Sequence, residues 1–385
     1  MKNLETLIQE LCSDGVEFVK LGDVCEIKTG KGITQKDCSE SSKYPVYSGG
    51  KEPMGYYKEF NRNANTVTVS RVGAYAGFVN YVTEDFYLND KCFSVLPKKD
   101  EDINSKYLYY KLKALECSII NMQSGGGVPT INTKKVGSLE IPLPPIEVQA
   151  EIVRILDKFT SLEAELEAEL DCRKRQYEYY RDKLLSFNNV GGQEVEWKKM
   201  SEVSFYPKTR IDASELSDNS YIGVENLLKD KLGRTDSTVK PEGSVIQFVE
   251  KDILIGNIRP YLRKIWKSDC KGGTNGDVLC IRVKEPSEVS PDYLFHILSS
   301  EKFFRYDIKN SKGAKMPRGD KAAVMDFEIP VPSLEEQHRI VSILDRFESL
   351  TTSLQSGLPA EIAARRQQYE YYRDKLLTFK RKGAV

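Results

Sequence analysis

The sequence IPLPPIEVQAEIVRILDKF, from Ile141 to Phe159, recurs with 11 of its 19 residues unchanged as IPVPSLEEQHRIVSILDRF, from Ile329 to Phe347. A second pair of segments follows, RQYEYYRDKLLSF ending at Phe187 and RQQYEYYRDKLLTF ending at Phe379. The first pair is offset by 188 positions and the second pair by 192, so the second copy contains four additional residues. A repeat of this size determines the architecture. We expect each copy to be a long helix introduced by a proline-containing strand end.

Apolar residues recur at steps of three and four along both copies, which is typical of a coiled-coil seam. In the first copy, one position of this series is polar, Arg173. The second copy has four additional residues, about one helical turn, so its apolar positions stay on one face of the helix. We predict that the two helices pack as an antiparallel pair; ordinary core helices of a bundle are the alternative. The predicted seam and partner interface comprise Ile152, Ile155, Phe159, Leu162, Leu166, Leu170, Tyr177, Tyr180, Leu184, Ile340, Ile343, Phe347, Leu350, Leu354, Tyr369, Tyr372 and Leu376.

Gly357 and Pro359 interrupt the second copy. Proline disfavours helical geometry in the residue before it and cannot donate a helical hydrogen bond. The sequence therefore predicts a kink or short break near Leu358.

The segments that precede the two helices, each roughly 140 residues long, share a weaker framework. NTVTVSRVGAYAG parallels KDILIGNIRPYLR, with Tyr75 opposite Tyr261, and SKYLYYKL parallels PDYLFHIL, both typical of short helices. VPTIN parallels MPRGD just before each proline-containing strand. Runs rich in β-branched residues predict strands at Thr66 to Ser70, Asp252 to Gly256 and Val278 to Val283.

These features predict a mixed α/β fold: two globular α+β domains separated by two long helices packed as an antiparallel coiled coil. The 385 residues also exceed the size at which one hydrophobic core stops growing, about 250 to 300 residues. The predicted segments are a first globular domain at 1–141, a central helical spacer at 142–190, a second globular domain at 191–329 and a C-terminal helical spacer at 330–385.

Composition narrows the classes of function. Lysine and arginine, 57 together, balance 57 aspartates and glutamates, so nucleic-acid binding would depend on local basic patches. The N-terminal MKNLETLIQEL is typical of an amphipathic helix, and no run of about 18 apolar residues occurs, so we expect a cytoplasmic protein without a membrane partner. Eight cysteines without a C-x-x-C pair, and only His296 and His338 as imidazoles, predict reduced, mostly buried thiols and no metal site.

Both copies carry the pattern I-P-x-P-x-x-E-x-Q-x-x-I-V-x-I-L-D-x-F. With the order globular domain, helix, globular domain, helix, the whole chain resembles the specificity subunits of type I restriction-modification enzymes. The resemblance implies two target-recognition domains that each read one half of a bipartite site in double-stranded DNA. It implies that the helices dock two methyltransferase subunits, with restriction and translocase subunits as further partners. It also implies that this subunit has no catalytic activity and binds no S-adenosylmethionine or other cofactor.

A tandem EAEL repeat, Glu163 to Leu166 and Glu167 to Leu170, lies in the first helix. Members of the family carry four-residue repeats at this point, and their number sets the spacing between half-sites. Four residues add about 6 Å of helix, one or two base-pair steps. The repeat is therefore expected to act as a ruler; a generic solvated helix is the alternative.

Catalytic motifs are missing from the sequence. Pro144 and Pro145 lack the flanking acidic or amide residue and the aromatic residue of adenine methyltransferases, and they stand where a helix begins. No G-x-x-x-x-G-K-[ST] motif for nucleotide-driven translocation occurs. We therefore expect a non-catalytic subunit.

Arg, Lys, Asn, Gln, Thr and Tyr side chains on glycine-rich or basic loops are the candidates for DNA contact. For any single one of them, a solvated surface charge is the favoured explanation, and the set as a whole carries the prediction. The densest basic and aromatic grouping surrounds Tyr261 and Trp266 and comprises Arg259, Arg263, Lys264, Lys267 and Lys271. The full set of candidates is Lys28, Lys31, Tyr47, Arg71, Tyr75, Gln123, Thr130, Asn132 and Lys134 in the first domain, and Lys208, Arg210, Asn257, Arg259, Tyr261, Arg263, Lys315 and Arg318 in the second.

The YEYYRDKLL segments, which occur twice, contain more apolar residues than one seam uses. Methyltransferase subunits are the expected partners of the surplus residues. Two alternatives stay open: a coiled-coil adaptor that binds proteins and no DNA, and a relative of a fused restriction enzyme whose catalytic parts are encoded separately.

Overall fold

The computed structural model describes residues 4–124, 127–187, 195–231, 233–237, 241–352 and 357–383, without the side chains of 350–352. The chain forms two compact units. Unit 1 contains Met1–Glu165 and Ala363–Val385, and unit 2 contains Leu166–Ile362. Each unit thus combines one globular segment with parts of both long helical regions. The four predicted segment boundaries are not tested by this division and stay predictions.

Unit 1 holds the first nine strands and the helices up to the start of α6. The strands are β1 Glu17–Lys20, β2 Cys25–Thr29, β3 Tyr44–Tyr47, β4 Tyr56–Tyr57, β5 Thr66–Ser70, β6 Val79–Val82, β7 Tyr87–Leu88, β8 Cys92–Pro97 and β9 Glu140–Leu143. The helices are α1 Leu4–Leu11, α2 Leu21–Val24, α3 Ser105–Ala114, α4 Glu116–Ile120, α5 Thr133–Gly137 and α6 Ile146–Ser186, which continues into unit 2.

Three small sheets build unit 1. The central sheet has the order β2-β8-β5-β6 and is antiparallel throughout, the second has the order β4-β3-β7, and β1 pairs with β9. Val67 lies opposite Val95 and Val69 opposite Phe93, and all four side chains enter the main core with Tyr107 and Leu108 of α3 and others. Alternating β-branched residues therefore put one face of β5 into the core.

Unit 2 repeats this plan. Its strands are β10 Glu196–Lys199, β11 Ser204–Phe205, β12 Arg210–Asp212, β13 Tyr221–Ile222, β14 Ser244–Phe248, β15 Ile253–Gly256, β16 Ile265–Lys267, β17 Gly272–Thr274, β18 Val278–Val283 and β19 Glu328–Val331. Its helices are α7 Met200–Val203, α8 Pro291–Leu298, α9 Glu301–Asn310, α10 Lys321–Asp326, α11 Leu334–Thr352 and the start of α12 Leu358–Leu376.

The central sheet of unit 2 has the order β11-β18-β15-β16, which corresponds strand for strand to that of unit 1. A second sheet has the order β12-β14-β17-β13, and β10 pairs with β19 as β1 does with β9. The predicted strands at Thr66, Asp252 and Val278, and the predicted helices at Ser105 and Pro291, are confirmed within a residue or two at each end. The predicted mixed α/β class is confirmed as well.

The repeated glutamine of the signature has a structural role. Gln149 is fully buried; its Oε1 accepts the N–H of Asn104 at 2.9 Å, and its Nε2 donates to the carbonyls of Asp102 and Pro144 at 2.9 and 2.8 Å. Gln337 makes the same three bonds in unit 2, to Ser290, Glu288 and Pro332. The glutamine thus fixes the start of each long helix on the loop before α3 or α8.

The repeated aspartate binds the same short helices. The Tyr110 hydroxyl donates to Asp157 Oδ1 at 2.6 Å, and His296 Nε2 lies 2.8 Å from Asp345 Oδ1. The hydrogen bond with His296 lowers the pKa of the Asp345 carboxyl below its usual range. Tyrosine and histidine therefore serve as alternative partners for one aspartate position.

The helical regions pair antiparallel inside each unit. In unit 1 the Phe159 ring lies 5.5 Å from Tyr372, and Glu163, one turn later, pairs with Arg366 at 2.5 Å. In unit 2 the Tyr180 ring stacks on Phe347 at 5.8 Å. In unit 1, a later residue of α6 contacts an earlier residue of α12, which is the predicted antiparallel pairing.

The helices carry a second apolar face that the seam prediction missed. Leu156, Leu185 and Leu344 are buried because they pack on the globular part of their own unit. Of the predicted seam residues, Ile152 and Ile340 are also buried in these cores, whereas Leu162, Tyr180 and Tyr372 are exposed. The remaining described members are half-buried: Ile155, Phe159, Leu166, Leu170, Tyr177, Leu184, Ile343, Phe347, Tyr369 and Leu376.

The second helical region is interrupted. Helix α11 is described to Thr352, Gly357 has a left-handed φ of 81°, and α12 begins at Leu358 with Pro359 in its first turn. The predicted break is thus present, because glycine adopts this φ without strain and proline fits a first turn. Leu354 and the side chain of Leu350 lie outside the described residues.

The segment after α12 joins the β1 sheet of unit 1. Val16 N–H donates to the Lys380 carbonyl, and Lys382 N–H donates back to the Val16 carbonyl, both at 2.9 Å. Arg381 pairs with Glu140 of β9 at 2.6 Å and lies over the Phe18 ring. The end of the second helical region is therefore tied to the first strand.

All eight cysteines are unpaired thiols. Four of them are buried, namely Cys12, Cys25, Cys92 and Cys280, and Cys117 and Cys172 are exposed. No helix among the described residues is long and apolar enough to cross a membrane.

Candidate nucleic-acid interface

Two loops of unit 1 bring four of the predicted DNA contacts together. The loop after β5 pairs with the segment before α5 through a bridge between Val72 and Thr130 and through Ile131 N–H, which donates to the Arg71 carbonyl at 2.8 Å. Gln123 Nε2 donates to the Ala76 carbonyl at 2.8 Å. Arg71, Tyr75, Gln123 and Thr130 therefore share one loop pair, in which the Gln123 amide holds the loop.

Tyr75 is the exposed aromatic of this loop pair, with 48% of its surface accessible. Lys51 Nζ lies 5.4 Å from the centre of its ring, a cation–π arrangement. Lys51 is not among the residues predicted from the sequence to contact DNA. Arg71 is half-buried, and its Nε has no hydrogen-bond partner within the described part of the chain.

Beside these loops lies an open cleft of about 990 Å³, lined by residues that include Gly49, Val72, Gly73 and Lys91. A Cβ at Gly49 would stand 2.3 Å from the Val72 carbonyl, so only glycine allows this approach. Tyr47 lies on β3, and its ring packs edge-on against Phe86.

The other candidates of unit 1 are peripheral. Lys28 and Lys31 are exposed, and Lys28 pairs with Glu26 at 2.7 Å. The side chain of Asn132 caps α5 by accepting the N–H of Lys134 at 2.8 Å, so Asn132 has a local structural role. Lys134 itself is exposed.

Unit 2 builds the corresponding loop pair with other side chains. Arg259 N–H donates to the Pro317 carbonyl at 2.7 Å, Ile258 bridges to Arg318, and Gly319 N–H donates to the Asn257 carbonyl at 3.0 Å. Arg259 has a left-handed backbone with φ 54°, which non-glycine residues rarely adopt. Asn257, Arg259, Tyr261 and Arg318 come together here, and Tyr261 is 51% exposed.

The predicted basic cluster around Tyr261 is largely engaged in contacts within the unit. Arg263 pairs with Glu301 at 2.8 Å, Lys267 pairs with Asp292, and Lys264 donates to the Val224 carbonyl. Arg318 pairs with Asp277 at 3.0 Å, and Arg210 donates to the Ser244 hydroxyl at 3.0 Å. Arg259, Lys208, Lys271 and Lys315 are exposed, and Arg210 and Arg318 are exposed as well despite these contacts.

The YEYYRDKLL segments present their tyrosines and bury an arginine. Tyr179 and Tyr371 are 61% and 63% exposed. Arg181, by contrast, is buried and donates to the Ser299 carbonyl at 3.2 Å, so this guanidinium is part of unit 2 and not of an open surface.

Among the residues that the structure describes, one group of side chains is close enough together to hold a metal ion. The ligand atoms of His296, Asp345 and Glu348 lie within 4.8 Å of one another. In unit 1, however, Tyr110 makes the corresponding bond to Asp157. The histidine is therefore explained as the structural partner of Asp345.

Comparison with known proteins decides the family. Residues 13–171 and 194–364 match the type I restriction modification DNA specificity domain, once for each copy of the repeat. The chain belongs to the type I restriction-modification specificity family. This specificity subunit is 30% identical to the EcoR124I/EcoR124II specificity subunit of Escherichia coli, over 100% of this chain and 99% of that protein. It is 27% identical to a putative type I specificity subunit of Mycoplasma pneumoniae, over 94% and 97% of the two chains.

The fold has solved counterparts. The S subunit of a type I restriction-modification system from M. genitalium matches with a TM-score of 0.59 at 16% identity, covering 94% of this specificity subunit and 96% of that chain. A chain from a structural study of type I complex assembly and conformational transition matches with a TM-score of 0.57 at 16% identity, covering 94% and 97%. The resemblance inferred from the repeated sequence is confirmed.

Proposed function

We propose that this specificity subunit recognises a bipartite site in double-stranded DNA, with each unit reading one half. The observation that carries the proposal is the repeated loop pair, in which equal backbone contacts hold unequal side chains. Arg71 and Thr130 stand in unit 1 where Asn257 and Arg318 stand in unit 2. Base-edge contacts specify sequence, so a common frame with different side chains suits two different half-sites.

Phosphate contacts would come from exposed cations of each unit. Lys28, Lys31 and Lys134 of unit 1, and Lys208, Arg259 and Lys315 of unit 2, are exposed. Such contacts release counterions, so binding should weaken steeply as salt increases. An adaptor that binds only proteins would depend on salt less steeply.

The YEYYRDKLL segments would dock two methyltransferase subunits. Tyr179 and Tyr371 offer large, exposed aromatic surfaces at corresponding positions, and Tyr is frequent at the centre of protein interfaces. Catalysis and S-adenosylmethionine binding would then reside in these partners, and this chain would contribute no cofactor site. Restriction subunits would join the same complex, which would act on chromosomal DNA in the cytoplasm.

The decisive experiment is co-expression with the candidate methyltransferase subunit, followed by single-molecule sequencing of methylated adenines in the host genome. A two-part motif with a fixed unspecified gap would establish the proposal. If the complex forms and no two-part motif appears, bipartite recognition is wrong for this chain. If no complex forms, the adaptor becomes the better hypothesis.

A further inference from the structure

Asp307 of α9 is a buried carboxylate that the fold leaves unsatisfied. It is 1% exposed, and neither of its oxygens has a hydrogen-bond partner within the described ranges. Burial raises its pKa to about 6. Burying an unpaired polar group is costly, and each such group in a folded protein requires an explanation.

The acid has no counterpart in unit 1. Helix α4 lies at the corresponding point of the chain but ends at Ile120, and the offset that aligns Ser105 with Pro291 puts the exposed Asn121 opposite Asp307. Helix α9 buries Phe303 and Phe304 beside Asp307. The buried acid therefore belongs to what distinguishes unit 2 from unit 1.

The unsatisfied carboxylate faces the candidate DNA-reading loops. A Cβ at Gly319 would stand 2.5 Å from Asp307 Oδ1 and 2.8 Å from Asn257 Oδ1, so both oxygens converge on this glycine. Asn257 Oδ1 is likewise buried without a partner among the described residues. Two oxygens that converge repel each other unless a proton or a water molecule lies between them.

The backbone of Asn257 is fixed, whereas its side-chain amide is not. The N–H of Asn257 donates to the Asp277 carbonyl at 2.9 Å, and its carbonyl accepts the N–H of Gly319. The amide nitrogen makes no hydrogen bond to the described residues and is not one of the buried unpartnered atoms, so it is the end of the amide that faces outward. The outward end of the amide determines whether Asn257 presents a hydrogen-bond donor or an acceptor to DNA.

We propose that Asp307 is a positioning residue that fixes the side-chain amide of Asn257 for reading one base pair, an inference that rests on the proposed function of unit 2. In its acid form, Asp307 donates a hydrogen bond to Asn257 Oδ1; as a carboxylate, its prevailing form at neutral pH, it holds the same orientation through one water molecule that donates to both oxygens. The NH₂ group of Asn257 then points outward as a donor. This donor can pair with a base that presents an acceptor on its major-groove edge, such as N7 or O6 of guanine. It cannot pair with the amino group of cytosine, which is itself a donor.

Unit 1 requires no such device. Arg71 stands at the position of Asn257, and a guanidinium has only donors, so either rotation presents the same chemistry. The effect of Asp307 is therefore confined to one half-site.

The test uses the complex of the full chain with its methyltransferase subunit and a DNA library randomised in both half-sites. Asp307→Leu should relax the preference at one base pair of one half-site by about tenfold, the size of one good base contact. Asn257→Ala should relax the preference at the same base pair, and the double variant should relax it no further than Asn257→Ala does. Asp307→Asn should keep the preference, because its own NH₂ can donate to Asn257 Oδ1.

Phe303→Leu is the matched control, since Phe303 is buried on the same helix and packs in the main core. It should lower stability and leave every base preference intact. Unchanged preferences in Asp307→Leu would overturn the inference, as would a uniform loss of methylation like that of the control. Relaxation in Asp307→Asn equal to that in Asp307→Leu would also overturn it. A wild-type complex without any two-part motif would instead refute the proposed function, and the inference with it.

Discussion

Buried polar side chains in this protein are of two kinds. Gln149 and Gln337 have every side-chain donor and acceptor engaged at the start of a long helix. Asp307 and Asn257 keep buried oxygens without partners in the described chain, next to loops that are candidates for DNA contact. The satisfied glutamines hold the fold together, whereas Asp307 and Asn257 lie at the surface that differs between the units.

Asp307→Asn should stabilise the protein at high pH. The pKa in the folded state, about 6, lies above the ordinary 3.8, so the folded state holds the proton more tightly. The stabilisation from this proton is complete below pH 3.8 and is lost as pH rises through 6; the difference of about two pKa units corresponds to about 3 kcal/mol. Urea unfolding at pH 8 should show up to about 3 kcal/mol gained by the variant, and little at pH 4. The exposed Asp218→Asn control should change neither value.

Gln149→Leu should destabilise unit 1. The substitution leaves the N–H of Asn104 and the carbonyls of Asp102 and Pro144 buried or half-buried without their partner, at about 1 to 3 kcal/mol for each unsatisfied group. Allowing for rearrangement, we expect a loss of about 2 to 4 kcal/mol in denaturant unfolding. Gln367→Leu, on the exposed surface of α12, should lose less than 1 kcal/mol. A loss as small for Gln149→Leu would contradict this role.

At the scale of elements, the sequence predicted what depends on periodicity and turn chemistry. Helix α6, strand β5 and the break at Gly357 follow from apolar spacing, β-branched runs and the glycine–proline pair. The second apolar face at Leu156 and Leu344 could not be predicted, because contact with the globular part of each unit leaves no separate period in the sequence. Arg181 likewise reads as a surface charge in sequence but is buried, where it donates to the Ser299 carbonyl and to Asp182.

The candidate site was predicted at the level of loops, not of side chains. The parallel between the segments ending at Gly77 and Arg263 identified both loops that follow the central strand. Lys51 and Asp307 escaped because they enter the site from other parts of the chain, through a cation–π contact and a buried helix face. Non-local approach of this kind depends on the tertiary packing.

Deleting Glu167 to Leu170 from α6 should shorten the gap between the half-sites. The division between units 1 and 2 falls inside the EAEL tandem, after Glu165, and removing one repeat shortens the helix by about 6 Å. The methylated motif should lose one or two base pairs from its gap and keep both half-sites. A length-neutral control, Glu165→Ala with Glu169→Ala, should keep the gap. An unchanged gap in the deletion variant would refute the ruler.

For the whole molecule, the two tyrosine surfaces predict the stoichiometry of assembly. Tyr179→Ala or Tyr371→Ala should each remove one of two methyltransferase subunits, and the double variant should remove both. Each substitution takes away the aromatic ring expected at the centre of one docking interface. Native mass spectrometry of co-purified complexes measures this directly. The exposed Tyr56→Ala, away from the helices, should leave the stoichiometry unchanged. Retention of two partners by the double variant would place docking elsewhere.

The hydrogen bonds between Val16 and the segment Lys380–Lys382 have a consequence for the gene. In unit 2, the peptide chain itself leads from α6 to strand β10; in unit 1, the same passage from α12 to β1 is made by noncovalent contacts. A covalent link between α12 and β1, together with a cut between α6 and β10, would exchange the order of the two globular domains along the chain. The contacts within each unit would be kept. A circularly permuted gene should therefore encode a chain that folds into the same two units, because each unit keeps the contacts that hold it together.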